Sequence, residues 1–412
     1  MTKICRRKPE ILAPARSLEV LETAVNFGAD AVYIGGESYS LRARSQNFTL
    51  AEMEKGIAYA HAKGAKVYVT ANIFAHNGDL TGIREYFREL SEVKPDALLI
   101  SDPGVFTLAR EICPEIDVHI STQANNTNYG TFNFWHNMGA KRVVCARELS
   151  LAEISEVRQN IPEGMEIEAF VHGAMCISYS GRCLLSNYFT GRDANRGECT
   201  HPCRWKYAIS EETRPGEYLP VYENERGTFI FNSKDLCMIG YIPEMIKAGI
   251  DSMKIEGRMK NSLYVAATTR TYREAVDDYF TDPELYRANI PHYIAQIAKC
   301  THREYSTGFY FGKPSAESQI YENATYVRDA VYLGMILGKN RKGMAGLIQK
   351  NKFSVGQEIE VMRPDGRDEN VTVKAMEDLE GNPMDSCPHA SQEFFVDLGT
   401  TLADGDILRT DG

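Results

Sequence analysis

The chain has 412 residues, a formal net charge of −10 and a hydrophobic fraction of 43%. That length holds two or three domains, or one large barrel with an appendage, and the acidic balance excludes a general nucleic-acid coat protein. No apolar run approaches the length of a membrane span, and MTKICRRKPEILAPA at the N-terminus lacks the apolar stretch of a signal peptide, so a membrane partner is not expected. Ten cysteines without an export signal point to a reducing cytoplasm, where thiols serve metals or catalysis.

In chain order, short β-branched runs alternate with amphipathic helical patterns. The strand candidates are 9–15, 31–36, 66–73, 97–102, 117–123, 142–147, 166–173 and 251–258. Each is nearly continuous in apolar character, as strands buried on both faces of a parallel sheet are. Helical patterns such as SLEVLETAVNFGA and LAEISEVRQNI lie between them. Eight such units over residues 1–280 predict a (β/α)8, TIM-like barrel. No Gly-rich dinucleotide turn follows the first strand, which argues against a doubly wound sheet.

Barrel active faces form at the C-terminal strand ends. There the sequence places Asn72, the run Ser121–Thr122–Gln123, Arg147, His172, Lys254, Glu256 and Arg258. A Cys-rich insert at 174–207 leaves the seventh strand, and a hairpin-like insert at 228–236 precedes the eighth. Residues 281–330 read as a linker with one helix (YIAQIAKC), and residues 331–412 as a small C-terminal all-β barrel-like domain of short strands and Gly, Asp and Pro turns.

The cysteine segment is the most specific feature. Cys176-x6-Cys183-x15-Cys199-x3-Cys203 places four of the ten cysteines within 28 residues, among Gly173, Gly181, Gly191 and Gly197. Four thiolates that close together can enclose one metal centre. Cys-x6-Cys is longer than a zinc-knuckle spacing, which favours iron–sulfur over zinc, with unrelated buried thiols as the bland alternative. The stretch Arg182–Lys206 carries Arg182, Arg192, Arg196, Arg204 and Lys206 against Asp193 and Glu198, so it is net positive inside an acidic chain. Tyr179, Tyr188, Phe189, Trp205 and Tyr207 interleave with these cations, a composition suited to phosphates and stacked bases.

The run EAFVHGAMCISYSGRCLLS strongly resembles the signature of the peptidase U32 family, and ILAPA, DAVYIGG, NYFTGRDANRGECTHPCRWKY, NSKDL and DSMKIEGRMK resemble its flanking pieces. More narrowly, they resemble its branch of prephenate-dependent tRNA hydroxylases. The resemblance implies an iron–sulfur cluster, taken as [4Fe–4S], on Cys176, Cys183, Cys199 and Cys203, with Cys237 of NSKDLC competing with Cys203 for the last place. It also implies hydroxylation at carbon 5 of the tRNA wobble uridine, with prephenate as hydroxyl donor and no dioxygen. Partners would be tRNA, a small carboxylate and a U32 paralogue in complex. The other readings are a collagenase-like peptidase, although the chain has no HExxH and no GxSxG, and a zinc or iron–sulfur RNA-binding or assembly factor without catalysis.

The residues bear on that chemistry directly. A dianionic co-substrate needs fixed cations, and arginine matches a carboxylate bidentately, so Arg258, Arg147 and Arg204, with Lys254, are the candidates for its site. His172 is a candidate proton relay or a histidine packed beneath the metal loop. Glu256 is a candidate base or a structural partner of Lys254 or Arg258. Arg192, Arg196 and Lys206 are the candidates for phosphate contacts.

Overall fold

A computed structural model describes residues 7–40, 47–175, 185–192, 194, 198–200, 202, 209–210, 218–219, 222–224, 227–229, 232–312, 319–320, 330–389 and 391–411. Cys176, Cys183, Cys203, Arg196, Arg204 and Lys206 lie outside the described residues, as do Tyr179, Trp205 and Tyr207.

Seven parallel strands run in sequence order, β1 (Glu10–Pro14), β2 (Ala31–Gly35), β3 (Lys66–Ala71), β4 (Ala97–Ile100), β5 (Asp117–Ile120), β6 (Arg142–Val144) and β7 (Glu166–Gly173). The eighth barrel strand (Ser252–Ile255) pairs in parallel with both β1 and β7 and closes the ring. Each barrel strand lies inside a run read from the sequence, and the expected TIM-like barrel is the fold found. Helices α1 (Leu18–Asn26), α2 (Leu50–Ala62), α3 (Leu80–Val93), α4 (Pro103–Ile112), α5 (Tyr129–Asn137) and α6 (Leu151–Gln159) fill the crossovers. Side-chain caps fix the starts of four of them: Ser17 for α1, Asp102 for α4, and the Thr49–Glu52 and Ser150–Glu153 capping boxes for α2 and α6, with Asn128 doing the same for a fifth, α5.

The seventh crossover departs from the barrel rule. After β7 come the insert and a short helix α7 (Leu185–Thr190). The hairpin expected over 228–236 divides: Gly227–Phe229 pairs with Tyr222–Asn224, whereas a strand β8 (Asp235–Cys237) runs antiparallel along the end of β7. The eighth barrel strand is therefore β9 in chain order, preceded by α8 (Ile242–Lys247) and followed by α9 (Ser262–Thr281). The segment read as a linker carries α10 (Pro283–Ala298), whose Tyr286, Tyr293 and Ile297 are buried in the barrel's outer core, and a short strand β10 (Tyr305–Ser306) that extends the sheet beyond β8. By packing, residues 283–306 are part of the barrel body.

Seven antiparallel strands from Ala330–Arg341 to Ile407–Asp411 form the C-terminal half-barrel sheet, with its own core around Leu347, Val361, Val396 and Leu408. Buried arginines fasten it to the barrel. Arg270 of α9 grips Asp368 bidentately at 2.6 and 2.7 Å. Arg409, fully buried, donates to Glu360 at 2.7 Å and to Gln296 of α10 at 3.0 Å. Such forks hold the module in one orientation.

Candidate active site at the barrel mouth

The barrel interior has two layers below the mouth. An apolar layer of Leu12, Ala31, Tyr33, Tyr68, Ala97 and Leu99 lies over a charged one. In the charged layer Arg142 donates to Glu10 at 2.6 Å, to Glu166 at 2.8 Å and to Glu168 at 3.3 Å. Tyr68 and Ser252 also donate to Glu10, at 2.6 and 2.8 Å. Burial alone would raise the Glu10 carboxyl, but Arg142 and these hydrogen bonds outweigh it and hold the group below its ordinary value.

From the level of Leu12 upward, β9 presents Lys254, Glu256 and Arg258. Arg258 is buried in a cradle, donating to Ser40 Oγ at 2.6 Å, Thr70 Oγ1 at 3.1 Å and Asn47 Oδ1 at 2.7 Å. A Cβ at Gly35 would overlap its guanidinium, so β2 must end in glycine for the arginine to lie flat. Glu256 is half-buried, with the Tyr33 hydroxyl 3.3 Å from its carboxylate and the Tyr264 hydroxyl donating to its backbone carbonyl at 2.8 Å. Gly173, at φ +106°, brings the end of β7 against that same carbonyl, where a Cβ would sit 2.7 Å away.

Lys254 does not pair with Glu256. It turns down to Glu168 at 2.7 Å, and its ammonium lies 4.4 Å from the Tyr33 ring centroid and 5.5 Å from that of Phe170. The far side of the network is completed by Arg147, whose guanidinium stacks 3.9 Å from the Phe170 centroid and donates to the Ala174 carbonyl at 2.7 Å. Arg147 and Lys254 thus meet on one aromatic ring, that of Phe170. On the opposite arc, Asn72 donates to Ser121 and Gln123 at 3.3 Å each, Ser121 is hydrogen-bonded to Gln123, and Thr122 donates to the Cys145 carbonyl at 3.1 Å.

His172 is not at the mouth. The β7–β9 register shifts between Lys254 and Ile255, so that Phe170 opposes Lys254 but His172 opposes Ile255. Past this bulge His172 leaves the barrel interior and packs against Tyr264 and Tyr272 of α9 and Tyr305, at centroid distances of 5.9, 5.7 and 5.4 Å. Burial pulls its imidazole down to about 3, so it stays neutral at physiological pH. That suits the packed-histidine alternative and not a proton relay near neutrality.

The same bulged end carries Cys237. It lies opposite His172 in the β7–β8 pair, with Leu236 opposite Gly173. The Tyr272 hydroxyl clasps the pair, donating to the Val171 carbonyl at 2.8 Å and accepting from Met238 N–H at 3.1 Å. Burial pushes the Cys237 thiol up to about 11. Cys176 is three residues beyond Gly173, a reach of about 10 Å at most, so Cys237 stands at the root of the cysteine segment. Cys199 is half-buried, and the adjacent Thr200 is tied to α7 through Ser186 Oγ, which accepts from Thr200 N–H at 3.1 Å. Among the described residues, Cys199 and Cys237 are the candidate thiols placed, and no group of three or more His, Cys, Asp or Glu side chains there could hold a metal ion. The next turn exposes Tyr188, Phe189 and Arg192 to solvent.

The sequence profile of peptidase family U32 matches residues 16–320, and that of the family's C-terminal domain matches residues 328–409. The chain belongs to peptidase family U32. Within the family, tRNA hydroxylation protein P1 of Bacillus subtilis (strain 168) is 40% identical over 408 residues, spanning 99% of this chain and 96% of its own. The tRNA hydroxylation protein P of Escherichia coli (strain K12) is 40% identical over 421 residues, spanning 92% of each. A U32 relative named collagenase, from Porphyromonas gingivalis (strain ATCC BAA-308 / W83), is 33% identical over 367 residues and 86% of each chain.

Sequence reading missed Glu168, Phe170, Tyr33 and the Ser40–Asn47–Thr70 cradle. Glu168 and Phe170 were in view as alternate residues of EIEAFVHG, and the period of two that turns them inward was their signal. The cradle had none, because Ser40 and Asn47 of the β2–α2 connection and Thr70 of β3 are gathered around an arginine 188 residues or more further on. Among the described residues no helix is long and apolar enough to cross a membrane.

Proposed function

We propose that this U32 chain is a tRNA-modifying enzyme that hydroxylates carbon 5 of the wobble uridine, with prephenate as hydroxyl donor and no dioxygen. The observation that carries this is the 40% identity, along 99% of the chain, to a protein named for tRNA hydroxylation. The mouth supports it: cations from β9 and the β6 loop converge beside the root of the cysteine segment, as a carboxylate substrate next to a redox group requires.

A [4Fe–4S] cluster would be held by Cys176, Cys183 and Cys199 with Cys203 or Cys237, and would supply one-electron chemistry or polarise an oxygen. The chain's own residues do the rest. Arg147 and Lys254 provide positive potential, and the packed apolar layer beneath keeps bulk water from entering through the barrel.

Tyr188, Phe189 and Arg192 on and after α7, with Arg196 and Lys206 further along, would meet the anticodon arm. Phosphate contacts release counterions, so tRNA affinity should fall steeply between about 50 and 200 mM salt. Arg192→Glu, on an exposed side chain, is expected to weaken tRNA binding several-fold and to flatten the salt dependence while leaving the chromophore intact. Filter binding across a salt series checks this, and an unchanged slope would move the RNA to another surface. The C-terminal module is also a candidate RNA contact, but deleting it would strip ion-pair partners from Arg270 and Lys299, so point variants are the cleaner probe.

The peptidase reading is less well supported. A cysteine nucleophile needs a lowered pKa, whereas among the described residues burial raises Cys113 and Cys237 to about 11 and Cys145 and Cys300 to about 12.

A further inference from the structure

We propose that Arg147, rather than Arg258, takes the carboxylate of the small co-substrate, and that it does so while holding the root of the cysteine segment. The proposal rests on the carboxylate co-substrate in the reading above.

The two arginines are alike at Nε, which makes no hydrogen bond in either, and differ in what their terminal nitrogens already do. In Arg258, Nη1 is shared between Ser40 and Thr70 and Nη2 is given to Asn47, inside a cradle closed by Gly35. A carboxylate arriving there would have to break neutral hydrogen bonds that tie the β2–α2 connection to β3. Arg147 is held more sparingly. Its Nη1 goes to the Ala174 carbonyl and its plane is set by the Phe170 ring. Its Nε is buried with no hydrogen-bond partner, and among the described residues no carboxylate is within ion-pair distance of it.

Nε and Nη2 form one edge of the guanidinium fork, the edge that grips a carboxylate side-on with two parallel hydrogen bonds. A cation pre-set by stacking and one hydrogen bond loses little further freedom on binding. A buried N–H without a partner is destabilising, so the apo site is poised to accept an oxygen. Lys254 on the same ring adds positive potential, but its charge is answered by Glu168. The ligand class is therefore a small organic carboxylate. Because Nη1 holds the carbonyl two residues before Cys176, the bound anion is registered directly against the cysteine segment.

The test is calorimetric titration of the anaerobically purified full chain with prephenate, and with malonate as a simpler dicarboxylate. Arg147→Gln is expected to weaken prephenate binding roughly ten- to hundredfold, and Arg147→Lys, which keeps the charge but loses the fork, to fall between it and wild type. Far-UV circular dichroism and melting temperature report whether each variant is folded. Binding by Arg147→Gln within about twofold of wild type would overturn the proposal, as would a folded Arg258→Gln that loses affinity where Arg147→Gln keeps it. A wild-type protein that binds neither carboxylate would sink the co-substrate reading itself, and this assignment with it.

Discussion

Glu168→Ala is expected to lower the unfolding free energy by about 3–5 kcal/mol, read as a shift of the urea midpoint at unchanged slope. The carboxylate is fully buried and answers two cations, Lys254 at 2.7 Å and Arg142 at 3.3 Å. Removing it leaves the Lys254 ammonium in the barrel interior with only the Tyr33 and Phe170 rings for company, and ring contacts recover a small part of what an ion pair supplies. Arg142 retains Glu10 and Glu166, so the cost falls mainly on Lys254. The double variant Glu168→Ala/Lys254→Met should therefore recover much of the loss, because the uncompensated charge goes with its partner. A single variant within about 1 kcal/mol of wild type would mean that water reaches Lys254, and the closed interior described above would be wrong.

The second large effect is all-or-none. Alanine at Cys176, Cys183 or Cys199 is expected to abolish the brown chromophore and bound iron of anaerobically purified protein, whereas Cys113→Ala and Cys300→Ala should leave both. The last two thiols are buried in the core, so their replacement is expected to perturb packing only. The fourth ligand is decided by comparing Cys203→Ala with Cys237→Ala. Cys203 is close in sequence to Cys199, while β8 fixes Cys237 at the end of β7 from which the cysteine segment leaves. Iron content and absorbance of the pair assign the position to whichever variant loses the cluster. Retention of a full chromophore by Cys176→Ala or Cys183→Ala would rule out a cluster on this segment.

The eight barrel strands could be read from the sequence because each is short, β-branched and bounded by a turn, and because a strand buried on both faces shows as a nearly unbroken apolar run. The charged plug could not. Glu10, Arg142, Glu168 and Lys254 sit singly at inward positions of four different strands, and Arg142 meets Glu10 across 132 residues of chain. No local pattern records such a pairing. His172 escaped for a related reason: one bulge between β7 and β9 turns it from the mouth to the outer wall, and a bulge has no signature in EAFVHG. The segment after residue 281 looked like a linker because α10 has a proline at 291 and a weakly apolar face, yet Tyr286 and Tyr293 anchor it to the barrel through large buried rings. The cysteine spacing, by contrast, is plain in the sequence, because it needs no long-range pairing to be read.

The most direct measurement is mass spectrometry of wobble nucleosides in tRNA from cells lacking this chain, with re-expression of the wild type and of Cys199→Ala. The account expects 5-hydroxyuridine-derived nucleosides to disappear in the deletion, to return with the wild type and to stay absent with Cys199→Ala. Unchanged wobble nucleosides in the deletion, in cells with no second U32 chain, would contradict it.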